Sequence, residues 1–170
     1  MKISLVGYMG SGKSSIGQLL ARQLNLPFLD MDEEIEKTAG RSISESILQN
    51  GELYFRKLER QVLMSLIDRE AFVLSTGGGT PCYYDNMNLL NQKTCSVYLQ
   101  YSVIQLYQRL EGHQANRPLI AHLKGEELKE YIGKHLFERA VFYEKAILPV
   151  QAAGKSNEEI VQEINNFIYD

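Results

Sequence analysis

A glycine-rich segment near the amino terminus has the sequence Gly7-Tyr8-Met9-Gly10-Ser11-Gly12-Lys13-Ser14, which fits G-x-x-x-x-G-K-S at every position. The apolar run from Ile3 to Val6 comes directly before it and indicates a buried strand. After it, apolar residues recur at helical spacing from Ile16 to Leu24. A strand that turns through glycines into a helix favours a phosphate-binding P-loop over a glycine-rich turn that merely carries a surface lysine.

The residue types of this segment match the chemistry of a nucleoside triphosphate. Glycines allow a tight turn in which successive backbone N–H groups point at phosphate oxygens. The helix that follows directs the positive end of its dipole at the same anion. Lys13 is placed to reach the β- and γ-phosphates, and the Ser14 hydroxyl is placed to bind Mg²⁺. The segment therefore predicts an ATP site with Mg²⁺.

Short apolar runs alternate with helical patterns along the rest of the chain. The further strand candidates are residues 27–30, Ala71–Leu74, Thr94–Leu99 and Ile147–Val150. Capping boxes predict helix starts at Ser42, Ser102 and Ser156. The apolar face of the final helix is expected at Ile160, Ile164, Phe167 and Ile168. This alternation predicts a parallel sheet covered on both faces, which is a three-layer α/β fold.

Length and composition exclude several classes of protein. A chain of 170 residues with 44% hydrophobic and 23% charged residues suits one compact domain. The net charge of −3 gives no basic excess for nucleic acid, and no apolar run reaches the ~20 residues of a membrane helix. Cys82 and Cys95 have no companions at metal-ligand spacing and are expected to be reduced thiols. We expect a cytoplasmic monomer that binds small molecules.

Two carboxylates follow the second strand candidate. Many P-loop ATPases and GTPases end a core strand in a metal-binding aspartate, but here the third candidate ends in Ser75-Thr76-Gly77. Asp30 and Asp32 are instead expected to face the same way on extended chain, roughly 6.6 Å apart. Asp30 would then hold the metal or its water, and Asp32 would accept a proton or hydrogen bond from an acceptor hydroxyl. The alternative is an acidic helix start without a catalytic role.

Four arginines and a run of glycines are further candidates. Arg56 and Arg139 lie on two helical segments and together suit a bidentate clamp for a carboxylate, although each alone is typical of a solvated helix surface. Arg117, in the irregular segment Gly112–Lys124, suits a lid arginine that closes on the transferring phosphoryl group. Arg109 is either a nucleotide contact or a surface charge. Gly77-Gly78-Gly79 would let backbone N–H groups approach a bound anion or polyol.

In their order and spacing these motifs resemble the shikimate kinase family along nearly the whole chain. Beside the P-loop, the residues that carry the resemblance are Phe28-Leu29-Asp30-Met31-Asp32, Ile35-Glu36, Gly40-Arg41-Ser42-Ile43, Gly51-Glu52, Phe55-Arg56, Thr76-Gly77-Gly78-Gly79, Arg117-Pro118-Leu119, and Arg139 with Tyr143. The resemblance implies phosphorylation of the 3-hydroxyl of shikimate by ATP, a step toward chorismate and the aromatic amino acids. It also implies a nucleoside-monophosphate-kinase type of fold with strand order 2-3-1-4-5.

The resemblance further implies roles for individual residues. A single P-loop kinase domain, residues 1–170, would carry a substrate-binding segment at about 31–61 and a lid at about 112–124. Shikimate ligands are implied at Asp32, Arg56, Gly78 and Arg139, with Gly77 and Gly79 assigned to the same site. ATP contacts are implied at Gly10, Ser11, Gly12, Lys13, Ser14, Ser15, Arg109 and Arg117, and Mg²⁺ ligands at Ser14 and Asp30. Lys13, Asp32 and Arg117 would be catalytic, and Glu59 would orient Arg56.

Two other functions remain open on the residues alone. Another small-molecule kinase of this fold, such as a gluconate kinase, also accepts a substrate with a carboxylate and hydroxyls. A nucleotide-binding module that hydrolyses ATP slowly and signals through a partner would need no separate acceptor residues. That second alternative is disfavoured by a separate set of acceptor-side residues, namely Asp32, Arg56, Gly78 and Arg139.

Overall fold

A computed structural model describes residues 1–113 and 119–170. Five strands form one parallel sheet in the order β2-β3-β1-β4-β5. The strands are β1 Lys2–Val6, β2 Phe28–Asp30, β3 Phe72–Ser75, β4 Cys95–Gln100 and β5 Leu148–Gln151. This arrangement confirms the predicted α/β class and the strand order 2-3-1-4-5.

Helices connect the strands and cover both faces of the sheet. They are α1 Lys13–Leu24, α2 Met31–Ala39, α3 Ile43–Asn50, α4 Glu52–Ile67, α5 Asn86–Lys93, α6 Val103–Leu110, α7 Gly125–Tyr143 and α8 Asn157–Tyr169, with a 3₁₀ helix at Thr80–Cys82. The capping boxes predicted at Ser42, Ser102 and Ser156 are all present. Among the described residues, no helix has the length and apolar character needed to span a bilayer.

The pattern of the sequence did not reveal α5 or the 3₁₀ helix before it. The α5 sequence, NMNLLNQK, contains three asparagines and buries only Met87 and Leu90 of its apolar residues. So short an amphipathic pattern gives little periodicity to detect. Tertiary contact decides this helix, because it packs on the 3₁₀ helix, on β4 and on α4.

The central strand β1 places the P-loop. It pairs with β3 on one side and β4 on the other, and Ile3, Leu5 and Val6 are fully buried because helices cover both faces. The chain enters the P-loop at Gly7, directly after the carboxyl end of this strand. In open parallel sheets, ligands bind outside the carboxyl ends of the strands, where the strand order reverses. β1 occupies that position here.

The last helix closes the core beside α1 and β5. Ile160 and Ile164 are fully buried as expected, and Val161 joins them. Phe167 was expected on the same buried face but is 44% exposed, because it lies in the final turn of α8, where the core ends. The apolar face of α8 is therefore centred one turn earlier than predicted.

Replacing Ile164 tests the contribution of this helix to stability. We expect Ile164→Ala to lower the free energy of unfolding by about 2–4 kcal/mol, because it leaves a cavity in a closed core. The matched change Phe167→Ala should cost about 1 kcal/mol or less. Urea unfolding followed by circular dichroism measures both. Equal losses for the two variants would contradict the burial of Ile164 against α1.

Candidate active site

Two clefts adjoin at the carboxyl edge of the sheet. The first, of about 560 Å³, is lined by the P-loop, by Asp30 at the end of β2 and by Ser75 at the end of β3. The second, of about 620 Å³, is lined by α3, α4, the triple glycine and Arg139 of α7. The lining residues that the clefts share are Met9, Asp32, Gly77 and Gly78. A ligand in one cleft would therefore lie against a ligand in the other.

Glycine at position 10 is required by the shape of the P-loop. The φ angle of Gly10 is +79°, a conformation that side chains disfavour. A β-carbon at this position would also lie 2.8 Å from Cδ2 of Leu110. Gly12 is the N-cap of α1 and has no side chain to satisfy the first N–H groups of the helix. Without a side-chain cap, these N–H groups would suit an anion in the first cleft.

Lys13 lies over the loop that precedes it. Its Nζ donates hydrogen bonds to the carbonyls of Gly7 (2.9 Å) and Tyr8 (3.0 Å). We had no reason from the sequence to expect burial of this side chain, yet Lys13 is only 9% exposed. The side chain lines the first cleft, which brings a positive charge to the place where the P-loop N–H groups converge.

Three oxygen-bearing side chains meet at the base of the first cleft. The Ser14 hydroxyl donates to Oδ2 of Asp30 (2.8 Å) and lies 3.2 Å from the Ser75 hydroxyl. Within residues 1–113 and 119–170, no group of three or more His, Cys, Asp or Glu side chains could hold a metal. Mg²⁺ usually needs only one or two protein oxygens beside phosphate oxygens and water. The donor set of Ser14 and Asp30 therefore fits Mg²⁺ bound together with a triphosphate.

Asp30 and Asp32 do not lie on one extended segment. That expectation is wrong because α2 begins at Met31, and Asp30 is its N-cap. Oδ1 of Asp30 accepts a hydrogen bond from the backbone N–H of Asp32 (3.1 Å), as capping aspartates do. Both side chains nevertheless line the first cleft. The helix start thus positions the two carboxylates.

The electrostatic environment of Asp32 is unusual. Its side chain is exposed to the open clefts, but the surrounding protein displaces much of its water. This desolvation and the neighbouring Asp30 carboxylate raise the pKa of Asp32 to about 6, against the opposing effect of Lys13. The Asp32 carboxylate belongs to a described residue that lines both clefts.

Arg56 is held on the wall of the second cleft by a buried carboxylate. Its Nη1 donates to Oε2 of Glu59 at 2.9 Å, and Glu59 is 1% exposed. The Thr80 hydroxyl donates to the other oxygen of Glu59 at 2.6 Å. Within the part of the chain that the structure describes, Nε of Arg56 is buried and has no hydrogen-bond partner. The ion pair with Glu59 therefore fixes the guanidinium of Arg56 on the wall of the cleft.

The triple glycine allows side chains to approach the backbone closely. A β-carbon on Gly79 would lie 2.9 Å from Nη1 of Arg56, and one on Gly77 would lie 3.2 Å from Oδ1 of Asp32. Sequence reasoning explained these glycines by backbone contact with a ligand. In the structure their absent side chains also make room for Arg56 and Asp32.

Arg139 reaches the second cleft from α7. Tyr143, one turn later on the same face, is fully buried, and its hydroxyl donates to the carbonyl of Gly78 at 2.5 Å. Tyr143 therefore joins α7 to the glycine loop, a role that the sequence signalled only through its spacing from Arg139.

The remaining candidates lie near the lid. Arg109 donates from Nε to the carbonyl of Gly10 at 2.6 Å and lines the first cleft, so the structure brings it to the P-loop. The predicted catalytic residue Arg117 lies outside the described residues, as does the central part of the predicted lid. Leu119, just after it, lines the second cleft.

Known proteins are similar to this chain in both sequence and fold. The family model for shikimate kinase matches residues 9–169. The chain belongs to the shikimate kinase family. A shikimate kinase of Flavobacterium johnsoniae is 47% identical over 165 residues, which cover 96% of each chain. This family assignment agrees with the resemblance found in the motifs.

Solved structures of the family superpose on the whole chain. The crystal structure of shikimate kinase from Bacteroides thetaiotaomicron has 36% identity and a TM-score of 0.94, and the match covers 100% of this chain and 99% of that one. Shikimate kinase from Acinetobacter baumannii, solved in complex with shikimate, has 36% identity and a TM-score of 0.88, with coverage of 99% and 92%. The chain is therefore a family member in both sequence and fold.

Removing the Lys13 ammonium tests the first cleft. We expect Lys13→Ala to lower kcat of the kinase reaction by at least ~100-fold, the scale of losing one preorganised electrostatic partner. Lys93→Ala, at an exposed position on α5, is the control and should leave kcat unchanged. Steady-state assays at saturating ATP measure both, with folding checked by circular dichroism. A folded Lys13→Ala enzyme with normal turnover would contradict the role of the P-loop lysine.

Proposed function

We propose that this protein transfers the γ-phosphoryl group of ATP to the 3-hydroxyl of shikimate. The observation that carries the proposal is the pair of adjoining clefts. One has the P-loop, the other has two arginines, and Asp32 lies where they meet. This arrangement brings a triphosphate and a carboxylate-bearing polyol into contact at one aspartate. Membership of the shikimate kinase family supports the choice of acceptor.

On the nucleotide side, Gly10 to Ser15 bind the phosphates through backbone N–H groups at the start of α1. Lys13 turns from the carbonyls of Gly7 and Tyr8 toward the β- and γ-phosphates, and Arg109 binds from the other wall of the cleft. Ser14 and Asp30 would hold Mg²⁺. When bound, this ion neutralises charge on the phosphates and fixes their position.

On the acceptor side, Arg56 and Arg139 bind the carboxylate of shikimate from two different helices. Glu59 binds Nη1 of Arg56 and fixes the guanidinium on the wall of the cleft, so the carboxylate would meet an oriented cation. Gly77, Gly78 and Gly79 bring their backbone close to the ring. The carboxylate thus orients the ring so that one hydroxyl faces Asp32 and the nucleotide.

The chemical step needs few groups from the protein. The oxygen of the 3-hydroxyl forms a bond to the γ-phosphorus, the bond from that phosphorus to the β–γ bridging oxygen breaks, and ADP leaves. The hydroxyl proton passes to Asp32, whose carboxylate accepts its hydrogen bond. Because phosphoryl transfer is largely dissociative, positioning by Asp32 matters more than early removal of the proton.

Residues 1–170 act as one P-loop kinase domain. The segment at about 31–61, which contains α2, α3 and most of α4, binds the acceptor. The lid at about 112–124 carries Arg117, which stabilises charge on the transferring group once both substrates are bound.

An acceptor comparison tests the proposed function. We expect ADP release, followed by a coupled assay with Mg²⁺ and ATP, to depend strongly on shikimate and to remain at background with gluconate or without acceptor. The product should be shikimate 3-phosphate, identified by phosphorus NMR. Acceptor-dependent turnover with gluconate instead would favour the other small-molecule kinase. Turnover that no acceptor stimulates would favour an ATP-hydrolysing module.

The carboxylate clamp makes a sharper prediction. Arg139→Lys keeps the charge but loses the planar fork, so kcat/KM for shikimate should fall by an equivalent of about 1.5–3 kcal/mol. The variant should also discriminate less between shikimate and an analogue in which the carboxylate is a neutral amide. Arg69→Lys, on the exposed pair with Glu34, is the matched control. Equal discrimination by wild type and Arg139→Lys would show that Arg139 does not bind the carboxylate.

A further inference from the structure

One face of the Arg56 guanidinium is covered by an aromatic ring. The central carbon of the guanidinium lies 3.8 Å from the centroid of the Tyr83 ring and 5.0 Å from that of Phe55. The first distance is within the range of a cation–π contact over a ring face. The side chain of Arg56 is 13% exposed, so this contact is sheltered from water. Nothing in the sequence pattern singled out Tyr83.

Tyr83 is itself held in place by its hydroxyl. The hydroxyl donates to Oε1 of Glu52 at 3.0 Å, and Nη2 of Arg56 lies 3.4 Å from the same oxygen. Glu52 is half exposed, so its ion pair with Arg56 is weak by itself. The ring, the carboxylate and the guanidinium form a closed set of three contacts on the outer side of Arg56.

The same short segment supplies the support on the inner side. Thr80, which holds Glu59, begins the 3₁₀ helix, and Tyr83 follows the end of that helix. The helix is anchored on the triple glycine by a hydrogen bond from the N–H of Cys82 to the carbonyl of Gly79 (2.9 Å). Thr80 and Tyr83 therefore both support Arg56 from one short turn, the first through Glu59 and the second by direct contact.

We propose that Tyr83 is a positioning residue that holds the Arg56 guanidinium in the plane required to bind the acceptor carboxylate. The inference rests on the proposed function, which it deepens. A free arginine loses considerable rotamer entropy when it binds a ligand, and a side chain already fixed by Tyr83 loses less. The ring would thus act on acceptor affinity and leave the chemistry at Asp32 unchanged. Arg139 lies near a different ring, with its guanidinium carbon 5.9 Å from the centroid of Tyr8.

Substituting the ring tests the inference. We expect Tyr83→Leu to raise KM for shikimate by about 5- to 10-fold, while kcat and KM for ATP stay within about twofold. Tyr83→Phe keeps the ring and loses only the hydroxyl, so its KM should stay within about two- to threefold of wild type. Tyr84→Leu, at the exposed neighbouring position, is the control and should have no effect.

Each outcome of this series is informative. Unchanged KM in Tyr83→Leu, or equal damage in the Phe and Leu variants, would overturn the role of the ring. A parallel loss of kcat and ATP affinity would show a merely structural role and would also overturn it. Should Tyr83→Leu fail to fold, Tyr83→Met gives the same comparison with a flexible side chain of similar size. If the wild-type enzyme shows no shikimate-dependent turnover, both the proposed function and this inference are rejected. If the wild-type enzyme is active and Tyr83→Leu has an unchanged KM, only the positioning role of Tyr83 is rejected.

Discussion

Parallel pairing of β1 with β3 on one side and β4 on the other is the constraint on which the site depends. The connection after β1 leads to β2 on one side, whereas the connection after β3 crosses to β4 on the other side. A crevice therefore opens at the carboxyl edge of the sheet, and the P-loop is the turn that fills it. The carboxyl ends of β2 and β3 bring Asp30 and Ser75 to the same edge. Both clefts, and the contact between them, follow from that sheet order.

Charge is concentrated at this edge and is compensated in pairs or by the backbone. Glu59 is almost fully buried, and a lone carboxylate there would be costly, but Arg56 and Thr80 satisfy its two oxygens. Lys13 is satisfied by carbonyls of its own loop. Arg56 is held by Glu59 before a ligand arrives, so little reorganisation of this arginine would be required when a carboxylate binds.

Local signals in the sequence predicted local structure well. The P-loop, the three capping boxes and the buried strand β1 need only neighbours along the chain, and all were found where expected. The strand order came from the family resemblance, because an apolar run does not specify which strand pairs with it. Asp30 shows the limit of the pattern: its i, i+2 spacing to Asp32 suggested extended chain, but N-capping by the carboxylate begins a helix there.

The sequence by itself determined that this is an α/β P-loop protein and predicted a phosphate site at Gly7 to Ser14, since glycine geometry and helix capping act within a few residues. Only the tertiary structure decided how the second cleft is built. Arg56, Tyr83 and Arg139 come from α4, the turn after the 3₁₀ helix, and α7, segments far apart in the chain. Their proximity depends on how helices pack across the sheet, which is a property of long-range contacts that no local pattern encodes.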